Sequence, residues 1–118
     1  MGNFVSRTIE RLAQGTRPED AELRQDAAKA GCDLISGHGD REVVTLHGSL
    51  RTVTLRPRSG VSAIEAELYD GSGTVLLVWL GRRRIAGIEP GRQITVEGRL
   101  GMRDGERVLY NPRYELTA

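Results

Sequence analysis

The sequence predicts a mainly β protein: a five-stranded Greek-key barrel over residues 42–118, preceded by a helical segment and linker over residues 1–41. Three observations predict it. Hydrophobic spacing changes at Glu42 from a helical period to alternation, the spacing of half-buried strands. Turn signals at 56–60, 70–73 and 103–106 cut the second half into strand-length pieces. The first piece is long and changes its apolar side midway, as a strongly coiled strand must.

Before Glu42 the pattern is helical. Val5, Ile9 and Leu12 stand at i, i+4 and i+7, with Phe4 and Ala13 widening the stripe and Gly15 ending it. Thr16-Arg17-Pro18-Glu19 reads as a capping box with proline in the first turn. A second helix then runs to about Ala30, where Gly31 supplies a left-handed cap. Its apolar side, Leu23, Ala27 and Ala30, is thin, so the segment must dock on the barrel, dock on a partner or stay partly mobile. Ser36 to Asp40 is a linker by composition.

In the first strand Val44, Leu46, Gly48 and Leu50 share one parity, whereas Val53 and Leu55 take the other. Gly48 offers the place to bend. Arg56 to Gly60 is a turn. Ile64, Ala66 and Leu68 alternate in strand two, with Glu65, Glu67 and Tyr69 opposite. Asp70-Gly71-Ser72-Gly73 makes a hairpin. Thr74 to Leu80 is apolar on both parities and reads as a covered central strand. After a connection from Gly81 to Gly91, Ile94, Val96, Gly98 and Leu100 mark strand four. Arg103 to Glu106 turns the chain into a fifth strand from Arg107 to about Leu116. Five strands, a coiled first strand and a long third connection are the OB arrangement. An SH3-like barrel is the alternative.

Composition narrows the function classes. No apolar run approaches the roughly 20 residues that span a bilayer, and the N-terminus lacks the pattern of a signal peptide. A lone cysteine, Cys32, leaves no intramolecular disulfide, which suits a cytoplasmic protein. Lys and Arg number 5 against 7 Asp and Glu over residues 1–40, and 12 against 9 over residues 41–118. Every cation except Lys29 is Arg, which suits bidentate phosphate contacts and stacking on bases.

Arg82-Arg83-Arg84 is the densest charge and attracts an anionic surface, unless Glu89 or Glu97 neutralises it. Among the aromatics, Trp79 ends an apolar strand and belongs to the core, while Tyr69 is the candidate for stacking on bases. Tyr110 and Tyr114 share a parity and either cap the barrel wall or present one ring outward. Asn111-Pro112-Arg113 could read a base edge, but a bulge in the last strand explains it better. Cys32, His38 and His47 lack the paired spacing of a metal site. No phosphate loop, nucleophile elbow or carboxylate pair supports catalysis, and no cofactor is implied.

Several of these stretches also carry a resemblance. They are Glu67 to Gly73, Val75 to Trp79, Glu89-Pro90-Gly91, Val96 to Arg99 and Tyr110 to Glu115. About two-thirds of the chain resembles the OB-fold nucleic-acid-binding domain proteins of actinobacteria. It is similar more distantly to the OB wedge of branched-DNA helicases and to anticodon-binding OB domains. The resemblance implies a ligand on the face of strands two and three, flanked by the 1–2 and 4–5 loops. Glu65 and Glu67 depart from that pattern because they would repel phosphates.

The expected function is therefore a nucleic-acid-binding accessory module and not an enzyme. Arg56, Arg58, Arg82, Arg83, Arg84, Arg103 and Arg107 would contact phosphates, and Tyr69 would contact bases. Single-stranded or branched DNA is the expected partner, with RNA possible. The alternative is a protein-interaction adaptor that docks a partner through residues 1–40. No membrane partner is expected.

Overall fold

Proline lacks an N–H and presets φ, so it suits the first turn of a helix, and Pro18 opens α1, Pro18–Lys29. The computed structural model describes residues 17–117. The helix expected over Phe4 to Ala13, its stop at Gly15 and the expected cap Thr16 lie outside the described residues. Arg17 is the N-cap of α1 and makes no side-chain cap. At the other end Gly31 N–H bonds to the Ala28 carbonyl and Cys32 N–H to the Ala27 carbonyl, with Gly31 at φ +75°. This is the left-handed termination expected at Gly31.

The residue just before the linker expected at Ser36 to Asp40 is part of the core, while the linker residues themselves are exposed or half-buried. A 3-10 turn at Ile35–Gly37 carries Ile35, which is fully buried among strand residues. Its N–H bonds to the Asp70 carboxylate at 2.8 Å. Packing thus crosses the boundary that composition suggests at residue 41.

Seven strands follow: β1 Val43–Arg58, β2 Val61–Tyr69, β3 Thr74–Leu80, β4 Gln93–Arg99, β5 Gly101–Arg103, β6 Glu106–Tyr110 and β7 Arg113–Thr117. They form one sheet in the order β5-β6-β3-β2-β1-β4-β7. Every pairing is antiparallel except β3 with β6. The expectation is five strands in a closed barrel, whereas the sheet has seven and its order has two ends. The fourth expected strand breaks at Leu100, whose N–H and C=O bond to Glu42 and Arg41. The fifth breaks at Asn111, held at φ +49°, and at Pro112, which has no N–H to give a ladder. Leu100 alone separates β4 from β5, although they lie toward opposite ends of the order. The sheet must curl to allow this.

Two further corrections concern β1. Its change of buried side occurs at a bulge between Leu50 and Val53, where β1 gains a residue against β2. Gly48, expected to bend the strand, instead allows close approach: a Cβ there would strike the Tyr69 carbonyl. The expected turn at Arg56 to Gly60 shrinks to Ser59-Gly60, both at positive φ, the mark of a tight hairpin. Pro57 lies inside β1, opposite Ser62. That half of β1 pairs with β2 alone, so a missing N–H costs no ladder bond.

The inner face holds the main core: Val44, Leu46, Leu50, Ile64, Leu68, Leu77, Trp79, Ile94, Val96 and Leu109 among others. Trp79 is 5% exposed and donates its indole N–H to the Pro112 carbonyl at 3.1 Å. A smaller cluster of Ala63, Val78 and Val108 lies apart from it, with Leu76 packed alongside. That second cluster explains why β3 is apolar on both parities.

The helix is fastened by polar contacts. Tyr69 donates its hydroxyl to the buried Asp20 carboxylate at 2.8 Å. Arg24 donates to the Gly71 carbonyl at 3.0 Å. Gly71 has φ +88°, and a Cβ on it would strike the Asp20 carbonyl, so only glycine fits. Burial first, and then the bond to Asp20, raises the Tyr69 pKa above its ordinary value. The folded state therefore keeps a proton that the unfolded chain releases above pH about 10. This stabilisation is complete below that pH and is lost as pH rises through the folded value. Tyr69→Phe should cost about 1–2 kcal/mol at neutral pH and make the alkaline loss of stability shallower. Urea denaturation over a pH series checks this; an equally steep alkaline loss in the variant would contradict it.

Candidate functional site

Directly paired residues of neighbouring strands share a face. Ile64, Ala66 and Leu68 point inward, so Val61, Ala63, Glu65, Glu67 and Tyr69 point outward. Pairing extends this outer face to Arg56 on β1, to Leu76, Val78 and Leu80 on β3, and to Val108 and Tyr110 on β6. Arg103 faces Glu106 across the β5–β6 hairpin.

A groove of about 540 Å³ runs over this face between Arg56 and Arg103. Glu65, Glu67 and Glu106 also line it. Glu65 is not the freely exposed charge expected: it is 8% exposed, and Arg56 Nε lies 4.0 Å from its Oε1. The Arg56 guanidinium thus offsets part of the repulsion that Glu65 would impose on an anion.

Tyr69 cannot serve as the stacking ring. It is 5% exposed, its hydroxyl is engaged by Asp20, and the Arg51 guanidinium sits 3.6 Å from its ring centroid. The ring that the outer face does present is Tyr110, 45% exposed; Val61 and Leu80 on the same face are 48% and 42% exposed. Tyr114 meets Trp79 edge-on at 5.6 Å between centroids. The sequence signal for Tyr110 is its parity with Val108, opposite to that of the core residue Leu109.

The arginines separate into groups. Arg82, Arg83 and Arg84 are all exposed just past the end of β3. Among the described residues none of them makes an ion pair, with Glu89 or Glu97 or any other carboxylate, although Glu89 lines the same cleft as Arg83 and Arg84. Arg83 and Arg84 rim a second cleft of about 270 Å³ floored by Val53, Leu55, Ile64, Ile85 and Ile88. Leu55 is 53% exposed there. Arg103 is half-buried in the first groove. Arg107 is a structural residue: its Nε donates to the His38 carbonyl at 2.9 Å. Arg58 pairs with Val61 in the ladder, and its side chain lies outside what the structure describes. Gly81 N–H bonds to the Ser62 carbonyl, which ties the start of the triple-arginine loop to β2.

Asn111 acts as a structural residue. Its N–H bonds to the Val78 carbonyl at 2.6 Å, and its side-chain oxygen accepts from Leu80 N–H at 2.9 Å. Among the described residues no three His, Cys, Asp or Glu side chains group as metal ligands. Cys32 has a raised pKa from burial and the nearby Asp33. No helix of the described residues is long and apolar enough to cross a membrane.

No family model and no curated protein matches the chain. Among solved structures, that of RecG bound to a three-way DNA junction matches with a TM-score of 0.54 at 23% identity. The match covers 66% of this chain and 11% of RecG. At that identity the likeness is one of fold.

The exposed and engaged tyrosines should separate in solution. Mild tetranitromethane treatment should nitrate Tyr110 and spare Tyr69, with mass spectrometry of the peptides as the readout. Nitration of Tyr69 at an equal rate would show that α1 does not cover it.

Proposed function

We propose that this chain is an OB-type module that binds nucleic acid, single-stranded or branched, and catalyses no reaction. One observation carries the proposal: three adjacent arginines stand exposed, without an ion pair among the described residues, at the end of a sheet face that also exposes Tyr110, Leu80 and Val61. Guanidinium groups suit phosphates, and exposed rings and aliphatic chains suit unstacked bases. The fold supports the reading. A curled sheet, antiparallel except where its third strand meets a late one, supports an OB-type reading. RecG, whose fold is similar over 66% of this chain, was solved on a DNA junction.

The proposed binding set is Arg56, Arg82, Arg83, Arg84 and Arg103 with Tyr110. Tyr69 and Arg107 are left out because other parts of the chain engage them. Glu67 and Glu106 in the groove oppose phosphate, so binding is weak and depends on salt. With few rings and no dense pattern of base-edge donors, it tolerates sequence.

Titrating a labelled single strand and a forked duplex at two salt concentrations tests this. Changing Arg82, Arg83 and Arg84 together to Ala should weaken binding and flatten the salt slope by about 0.7–0.9 for each phosphate that is no longer neutralised. Glu67→Gln should strengthen it. Tyr110→Ala should weaken it while leaving the melting temperature nearly unchanged. A wild-type chain without affinity for either oligonucleotide at low salt would overturn the reading and return the chain to the adaptor class.

A further inference from the structure

Among the described residues β7 ends the sheet order and has β4 as its one strand neighbour. Alternation shows which of its backbone groups that pairing uses. Leu100 N–H bonds to the Glu42 carbonyl, and Leu50 N–H to the Arg92 carbonyl. These bonds bracket the β1–β4 ladder and direct the N–H and C=O of Ile94, Val96 and Gly98 toward β1. Gln93, Thr95 and Glu97 then face β7, where they pair with Thr117, Glu115 and Arg113. Tyr114 and Leu116 are left with N–H and C=O directed off the sheet. Neither has another backbone partner among the described residues. Arg113, Tyr114 and Glu115 are all exposed.

We propose that the chain self-associates through this edge, two copies pairing β7 antiparallel about a two-fold axis at Tyr114. A free edge usually carries charge that discourages pairing. The charges of β7 instead complement themselves. With Tyr114 on the axis, Arg113 lies opposite the partner's Glu115, and the symmetry repeats the pair. Neither side chain makes an ion pair within 4.0 Å among the described residues, although Glu97 is the cross-strand neighbour of Arg113 on β4. Shifting the axis to Glu115 would bond Tyr114 to the partner's Leu116, whereas the first register bonds Tyr114 to the partner's Tyr114 and sets Leu116 against Pro112, whose carbonyl already accepts from Trp79. But the shift would set Glu115 against the partner's Glu115, a repulsion, and leave Arg113 unpaired. Charge therefore selects the first register. A second copy fits this edge better than an unrelated strand because Arg-x-Glu is complementary to its own reverse. Five residues bury little area, so the dimer is weak and forms as concentration rises.

Sedimentation equilibrium over a concentration series tests the association. Arg113→Glu and Glu115→Arg should each weaken it by about tenfold, since each places like charges opposite twice. The double swap should restore it, because the pairs re-form with exchanged signs. Amide exchange of the unaltered protein gives an independent reading that does not depend on how the variants fold. Protection at Tyr114 N–H should rise with concentration, while Arg113 and Glu115, bonded to β4, stay protected throughout. A protein that is monomeric at millimolar concentration overturns the proposal. So does association that survives the single reversals, fails to recover in the double swap, or leaves Tyr114 exchange unchanged.

Discussion

The Asp70 carboxylate, wholly buried at the β2–β3 turn, joins three parts of the chain that would otherwise have little reason to meet. One oxygen accepts from Ser72 N–H, Ser72 Oγ and Gly73 N–H, which closes the hairpin. The other accepts from Ile35 N–H and brings that side chain into the core. A carboxylate this far from water is costly unless its lone pairs are filled, and four donors fill them. The consequences spread from there. With the hairpin closed, Gly71 can lie against the Asp20 carbonyl of α1, and Tyr69 can reach the Asp20 carboxylate. The helix buries only Asp20 and Ala27 and has almost no apolar face to hold it. Its attachment is therefore a matter of hydrogen bonds and close approach, and it depends on the turn that Asp70 shapes.

The bulge in β1 plays the complementary part for the sheet. Leu50 and Val53 differ in parity, yet both join the main core, because one extra residue between the Leu68 and Ala66 pairings restores the facing. The first half of β1 pairs with β2 only at its end and with β4 along its length; the second half pairs with β2 alone. One strand thus serves two neighbours in sequence, and the sheet turns a corner at the bulge. Beyond it, no strand flanks β1 on the side away from β2 among the described residues. That is why Pro57 is tolerated, and why Leu55 and Arg56 reach solvent.

Strand positions were legible in the sequence because alternation reports burial directly. The two parities of β3, the change of side in β1, the cap at Gly31 and the place of Trp79 in the core all follow from spacing. What spacing could not report was engagement by distant residues. Tyr69 has the outward parity of a stacking ring, but Asp20 and Arg51, remote in sequence, close over it. Ser36 to Asp40 has the composition of a linker, yet the adjoining Ile35 is core because Asp70 captures its N–H. Arg107 looks like any surface cation until His38 supplies a carbonyl beside it. Each failure has one cause: a long-range polar contact reassigns a residue whose local pattern is sound.

The arginines, too, are sorted by what each has already found. Arg24, Arg99 and Arg107 donate to backbone carbonyls, and Arg51 lies on a tyrosine ring. A guanidinium anchored in this way would have to release its partner to meet a ligand. Arg82, Arg83 and Arg84 would release only water. They also lie beyond the strand end where β2 begins and β3 finishes, whereas α1 covers the opposite end of the outer face at Tyr69. The face is thus closed by a helix at one end and open among cations at the other. An extended anionic chain entering it would meet the arginines first and Tyr110 next, and would stop short of Tyr69. Where the helix docks would therefore set the polarity of the proposed site, which residue type alone could not have revealed.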